Sequence, residues 1–185
     1  MQAYKNAVAS PPNLYTSSLV LRRPSEQDIP AIVTIAGDWE VASRLARMPH
    51  PYGEEEARFF LDVIVPAELA WAIVDRTCGN LLGVIGLAPN EYEGAELGYY
   101  ISRQHWGCGI ATEAASVVAA YGAGLVGQDR LISTFFADNP ASGRVLEKLG
   151  FVKQGSSKET CLATGGAKTA VKMGLASTTV LEGFE

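Results

Sequence analysis

Trp106-Gly107-Cys108-Gly109-Ile110-Ala111-Thr112-Glu113-Ala114 sets a double-glycine turn directly against a long apolar stretch. Upstream, Ala95 to Ser102 reads as a strand, and downstream Ile110 to about Leu125 reads as a helix. Such a strand–turn–helix junction gathers backbone N–H groups at the positive end of the helix dipole. Glycines keep side chains from blocking approach, so the turn suits a phosphate or pyrophosphate. A phosphorylated cofactor is the first expectation.

Working outward, Leu19-Val20-Leu21 is a short strand stopped by Arg22-Arg23-Pro24. Ser25 and Asp28 offer caps for a helix through Ile29, Ile32, Val33 and Ile35, ended by Gly37. Met48 to Gly53 is a loop, and Glu54 opens an acidic helix start whose stripe is Ala57, Phe60, Leu61 and Ile64. Leu69 to Val74, Leu81 to Leu87 and Ala95 to Ile101 form an antiparallel meander. After the long helix come a strand at Leu131 to Ala137 and a helix over Asn139 to Leu149, capped by Asn139 and closed by Gly150. Phe151 to Gly155 and Ala170 to Leu175 are the last strands. The expected organisation is a loose tail over 1–17, one α/β domain over 18–177 and a second tail over 178–185.

Composition narrows the partners. The 185 residues suit one domain, 48% of them are hydrophobic and 19% charged, and the net charge is −5. An acidic chain of this kind argues against generic nucleic-acid binding. Three cysteines (Cys78, Cys108, Cys161) and two histidines have no metal-like spacing, so free thiols and no metal are expected. No stretch reaches the ~20 apolar residues of a membrane span, nor does the N-terminus carry a signal-peptide core. The expectation is a cytoplasmic protein without a membrane partner, as a monomer or homodimer.

A dinucleotide-binding loop would carry a third glycine where Thr112 stands, with an acid ending the next strand, whereas Asp129 precedes it. No Gly-Lys-Ser/Thr is present for a nucleotide-binding P-loop. The turn instead resembles the Q/R-x-x-G-x-G/A loop of the GNAT acetyltransferase superfamily, with Trp106 taken as its first position in place of Gln or Arg. Asn139-Pro140-Ala141-Ser142-Gly143-Arg144-Val145-Leu146-Glu147-Lys148-Leu149-Gly150-Phe151 resembles that superfamily's second acetyl-CoA segment. The two together look most like the branch that holds ribosomal-protein N-terminal acetyltransferases, and the likeness runs from Leu19 to the end.

The resemblance implies a GNAT-like fold: a mixed, mostly antiparallel α/β (α+β) sheet with splayed central strands and helices on both faces. It implies acetyl-CoA as donor, its pyrophosphate on the turn of Gly107, Cys108, Gly109, Ala111 and Thr112. The pantetheine arm would lie like an added strand between Ala95–Ser102, including Tyr100 and Ile101, and Leu131–Ala137. Asn139 would bond the arm's amides, and Ser142 would lie near the sulfur. The implied reaction is direct attack of an amine, from a small molecule or a protein N-terminus, on the thioester. Glu96 is the expected base, Ser142 the expected acid, and a backbone N–H near Tyr99 or Tyr100 the oxyanion donor.

Two departures from the family pattern stand out. Cys108 replaces a frequently basic residue, and Leu146 stands where many relatives place a proton-donating tyrosine. The alternative is a non-catalytic acyl-CoA-binding protein on the same fold. Cys108 at a helix start is also a candidate nucleophile, though no histidine but His105 is near it in sequence. His50 lies in the loop resembling the acceptor-side segment.

Overall fold

In the computed structural model, which describes residues 2–91 and 93–176, one sheet organises everything else. Its strands are β1 (Leu14–Tyr15), β2 (Leu19–Arg22), β3 (Leu69–Asp75), β4 (Leu81–Pro89), β5 (Ala95–Ile101), β6 (Leu131–Phe136), β7 (Phe151–Cys161) and β8 (Gly166–Leu175). They lie in the order β1-β2-β3-β4-β5-β6-β8-β7. Every neighbouring pair is antiparallel except β5 and β6, which run parallel. The connection between those two is the long helix that follows the glycine turn, as a parallel crossover requires.

The helices are α1 (Gln2–Ala9), α2 (Ile29–Ala36), α3 (Trp39–Ala42), α4 (Glu54–Phe59), α5 (Val65–Ala67), α6 (Ile110–Val126) and α7 (Pro140–Lys148). They cover both faces of the sheet. On one, Leu97, Ile101, Leu87 and Trp71 pack with Ala114, Val118 and Ala119 of α6, Leu146 of α7 and Tyr4 of α1. On the other, Val84 and Tyr100 pack with Ile29 and Ile32 of α2 and Ala57 of α4. Because both faces are covered, Leu69 to Val74 of β3 are all buried, and they read as a continuous apolar run. Within α6, a Cβ on Gly122 would stand 2.9 Å from Leu87 Cδ1. Glycine there lets the helix sit close on the sheet, and the helix runs on to Val126.

Three stretches differ from expectation. Residues 2–9 form a helix rather than a loose tail. Tyr4 and Val8, one turn apart, are buried, and the Tyr4 hydroxyl donates to the Leu87 carbonyl and accepts from Leu69 N–H. A single buried pair over eight residues is too short a pattern to announce a helix. The last two strands are also longer than expected and form a hairpin of eleven and ten residues. Lys153 to Thr160 is polar and largely exposed because this edge strand is held by backbone pairing to β8 and needs no second apolar face. The expected C-terminal tail, 178–185, lies outside the described residues.

Candidate active site

β5 and β6 pair only at Ala95–Leu131, Glu96–Ile132 and Leu97–Ser133. The last rung is finished by a side chain: Ser133 Oγ donates to the Leu97 carbonyl at 2.7 Å. Beyond it the strands part. Gly98 to Ile101 and Thr134 to Phe135 become walls of a cleft of about 520 Å³, which continues along Gly107, Gly109 to Thr112, and Asn139 to Ser142. The expected splay is present, and both glycine-turn and Asn139 segments open onto the same space.

The backbone of β5 faces that space with every second residue. Ser102 N–H donates to the Leu82 carbonyl at 2.8 Å, so the even-numbered residues turn their amides toward β4. Leu97 and Ile101 turn theirs the other way, since their carbonyls accept from Ser133 Oγ and from Trp106 Nε1. Tyr99, between them, therefore presents its N–H and C=O to the cleft. Tyr100 does not: its ring packs in the α2–α4 cluster, and burial pushes its phenol far above the usual range. Of the two expected strand contacts, Ile101 faces the cleft with its backbone and Tyr100 only borders it.

The glycine turn has the geometry its sequence demanded. Gly107 and Gly109 have φ of 79° and 82°, a region that strains any residue with a Cβ. Space is not the reason, since a Cβ at either position would meet nothing within 4 Å. The first intrahelical bond of α6 runs from Glu113 N–H to the Gly109 carbonyl, leaving the amides of Ile110, Ala111 and Thr112 without an i−4 acceptor. All three residues line the cleft, whereas Cys108 is exposed, lies outside the lining, and turns its Sγ toward the Trp106 carbonyl at 3.8 Å. Glu113 is not part of the cleft lining. Its carboxylate accepts from Thr16 Oγ1, Ser17 Oγ, Ser18 N–H and Ser18 Oγ, which pins the β1–β2 turn to the start of α6.

On α7, Asn139 occupies the cap position but its side chain makes no cap hydrogen bond. Its carboxamide lines the cleft and is free among the described residues to bond a ligand. Ser142 Oγ lies 2.9 Å from the hydroxyl of Tyr99, which crosses from β5 to reach it. Burial pushes the Tyr99 phenol up to about 12. The sequence pointed to the backbone of Tyr99 and not to its hydroxyl. Leu146 is fully buried in the core beneath and does not line the cleft.

Glu96 is not in the cleft wall. It shares the strand face of Tyr100, where the Arg47 guanidinium, held by Glu68 at 2.8 Å, also feels its charge. Arg44, absent from the expected site, does line the cleft. Its guanidinium lies over the Trp106 ring, and its Nε and Nη2 donate to the Glu40 carbonyl and carboxylate. His50 stacks edge-on against Trp39 with centroids 5.1 Å apart. Among the described residues, no group of three His, Cys, Asp or Glu side chains could hold a metal ion, and no helix is long and apolar enough to cross a membrane.

Residues 18–152 match the acetyltransferase (GNAT) domain family. The chain belongs to the GNAT acetyltransferase family. It is 32% identical over 161 residues to the uncharacterised N-acetyltransferase YoaA of Bacillus subtilis (strain 168), covering 83% of this chain and 90% of that one. The same fold recurs in a spermidine N-acetyltransferase from Vibrio cholerae, solved in complex with CoA and spermine. The two superpose with a TM-score of 0.75 at 22% identity, over 90% of this chain and 100% of that one. It recurs as well in a ribosomal-protein-S5-alanine acetyltransferase from Vibrio fischeri, with a TM-score of 0.68 at 18% identity, covering 90% of this chain and 97% of that one.

With the GNAT turn in place, the loop pattern can be counted back from Gly107. Gln104-His105-Trp106-Gly107-Cys108-Gly109 carries the glutamine at the opening position, so Trp106 is an interior residue of the loop and no replacement for Gln or Arg. Gln104 sits in the short 3₁₀ turn over Arg103–His105 and does not line the cleft. Trp106 does, with its indole N–H fixed on the end of β5.

Proposed function

We propose that this GNAT enzyme takes acetyl-CoA as donor and acetylates a primary amine by direct attack within a ternary complex. One observation carries the proposal: a single cleft joins the unpaired amides of the α6 start, the inward-facing backbone of Tyr99, the free carboxamide of Asn139 and the Ser142 hydroxyl. The amides of Gly109, Ile110, Ala111 and Thr112 receive the pyrophosphate. The pantetheine arm lies between the parted strands, using the backbone of Tyr99 and Ile101 as a missing neighbour strand would. Asn139 bonds an amide of that arm.

In the transfer itself, the Tyr99 N–H is the donor to the developing oxyanion, in place of the Tyr100 N–H that faces β4. The amine attacks the carbonyl carbon, and the thiolate leaves toward Ser142, which supplies a proton. Glu96 stands one residue from the cleft on the side bordered by α2 and α4. There it takes the proton of the incoming amine through solvent. Two acceptor classes are the starting panel, because fold relatives act on spermidine and on a ribosomal-protein alanine. A polyamine is represented by spermine and a protein N-terminus by an alanine-initiated peptide.

Acceptor-dependent release of free thiol from acetyl-CoA, with acetylated spermine or peptide seen by mass spectrometry, is the expected result. Tight CoA binding without acceptor-dependent release from any amine of a broad panel would instead identify a non-catalytic acyl-CoA-binding protein.

A further inference from the structure

We propose that the hydroxyls of Tyr99 and Ser142 form a two-step proton relay to the departing thiolate, in which Tyr99 holds the proton and Ser142 delivers it. The relay deepens the acetyl-transfer proposal and rests on it.

Tyr99 is on the half of β5 that has parted from β6, and its side chain spans the gap to the first turn of α7. Its Oη approaches Ser142 Oγ at 2.9 Å and the Ser142 carbonyl at a longer 3.4 Å. Both residues line the cleft, and Tyr99 is the one partner of Ser142 Oγ among the described residues. When Tyr99 donates to Ser142 Oγ, the serine hydrogen is released to point into the cleft. That polarity is what delivery to a sulfur requires.

Chemistry favours the pair over serine alone. An aliphatic alkoxide is far less stable than a phenolate, so a lone Ser142 would have to surrender its proton and keep the charge. With Tyr99 behind it, the charge ends on the phenol. Burial holds that phenol protonated through neutral pH, up to about 12, so the reservoir stays full. The other titratable or charged groups on the cleft wall are Arg44, Tyr100, His105, Arg144 and Lys148. Three of them, Arg44, Arg144 and Lys148, are basic, and none is acidic.

The step balances. The nitrogen lone pair forms the new N–C bond, and the C–S bond breaks with its electron pair going to sulfur. The Ser142 Oγ proton moves to sulfur as the Tyr99 Oη proton moves to Ser142. The phenolate then recovers a proton from solvent, matching the one released by the amine. The products are the amide and the free thiol.

Four variants test the relay with acetyl-CoA and whichever of spermine or the alanine-initiated peptide the parent enzyme turns over. Tyr99→Phe is expected to lower kcat by roughly 10²-fold, the scale of a general acid, with the KM for acetyl-CoA unchanged. Ser142→Ala is expected to do the same, and the double variant to be no slower than either single one, as for residues acting in one unit. Tyr99→3-fluorotyrosine keeps the hydroxyl and its shape but acidifies the phenol, so the alkaline fall of kcat should move to lower pH. An unchanged kcat in Tyr99→Phe, a raised KM at constant kcat, multiplying single effects, or an unmoved alkaline limb would each overturn the relay. If Tyr99→Phe does not fold, the fluorotyrosine protein decides alone. A parent enzyme that binds CoA and acetylates nothing removes the transfer proposal and the relay together. An active parent with an indifferent Tyr99→Phe removes the relay only.

Discussion

The Arg44 guanidinium lies 5.0 Å from the centroid of the Trp106 ring, so a segment just after α3 touches the start of the glycine turn. Both residues line the cleft, and the Trp106 indole is anchored by its N–H to the Ile101 carbonyl at 2.8 Å. The segment after α3 and the glycine turn are thus joined by a cation–π contact. Replacing Trp106 with Ala should weaken CoA binding about fivefold, the ~1 kcal/mol of a half-exposed contact of this type. Arg44→Ala should weaken it to a similar degree, and Trp106→Phe should retain most of the affinity. Titration calorimetry with CoA measures each; unaltered affinity in both alanine variants would dissociate the stack from cofactor binding.

Asn139 offers a cleaner separation of binding from folding. Its side chain does not cap α7, so Asn139→Ala should leave the thermal midpoint close to that of the parent. CoA affinity should fall by about 1 kcal/mol, the net worth of one neutral hydrogen bond. A lower midpoint with the same affinity would return Asn139 to a structural role.

Glu96 is tested through the pH profile. If it takes the amine's proton through solvent, Glu96→Gln should lower kcat/KM and flatten the rise of rate with pH. An identical profile in the variant would assign that step to solvent alone.

Glu113 carries a stability prediction with a defined sign. Burial alone would raise its carboxyl, but bonds from Thr16, the Ser18 amide and hydroxyl, and Ser17 outweigh that and hold it below the usual value. A carboxylate lowered in the folded state stabilises the fold above its ordinary value of about 4.3, and this stabilisation is lost as pH falls through the lowered one. Glu113→Gln should therefore cost about 1 kcal/mol at neutral pH and lessen the loss of stability on acidification. Urea titrations at neutral and acid pH read both effects; an equal penalty at both would show that charge plays no part.

Much of this site was legible because it is local. Gly107 and Gly109 announce left-handed backbone before a helix, and Asn139-Pro140 announces a helix start; neither needs a distant partner. The meander was legible too, since Leu69 to Val74 is apolar throughout. Helix α1 was not, because Tyr4 finds its partners at Leu69 and Leu87, more than sixty residues away. Arg44 was missed for the same reason: only folding sets it beside Trp106.

By itself, then, the sequence determined where the glycine turn stands and which helix begins beside it, because turns and helix starts are fixed by φ and by spacings of a few residues. Tertiary structure alone decided which side chains meet. Tyr99 and Ser142 are 43 residues apart and touch because β5 leaves β6 after Leu97, opening a gap that a tyrosine spans. The same register turned Glu96 out of the cleft and aimed the Tyr99 amide into it, since strand alternation is set by pairing and not by composition.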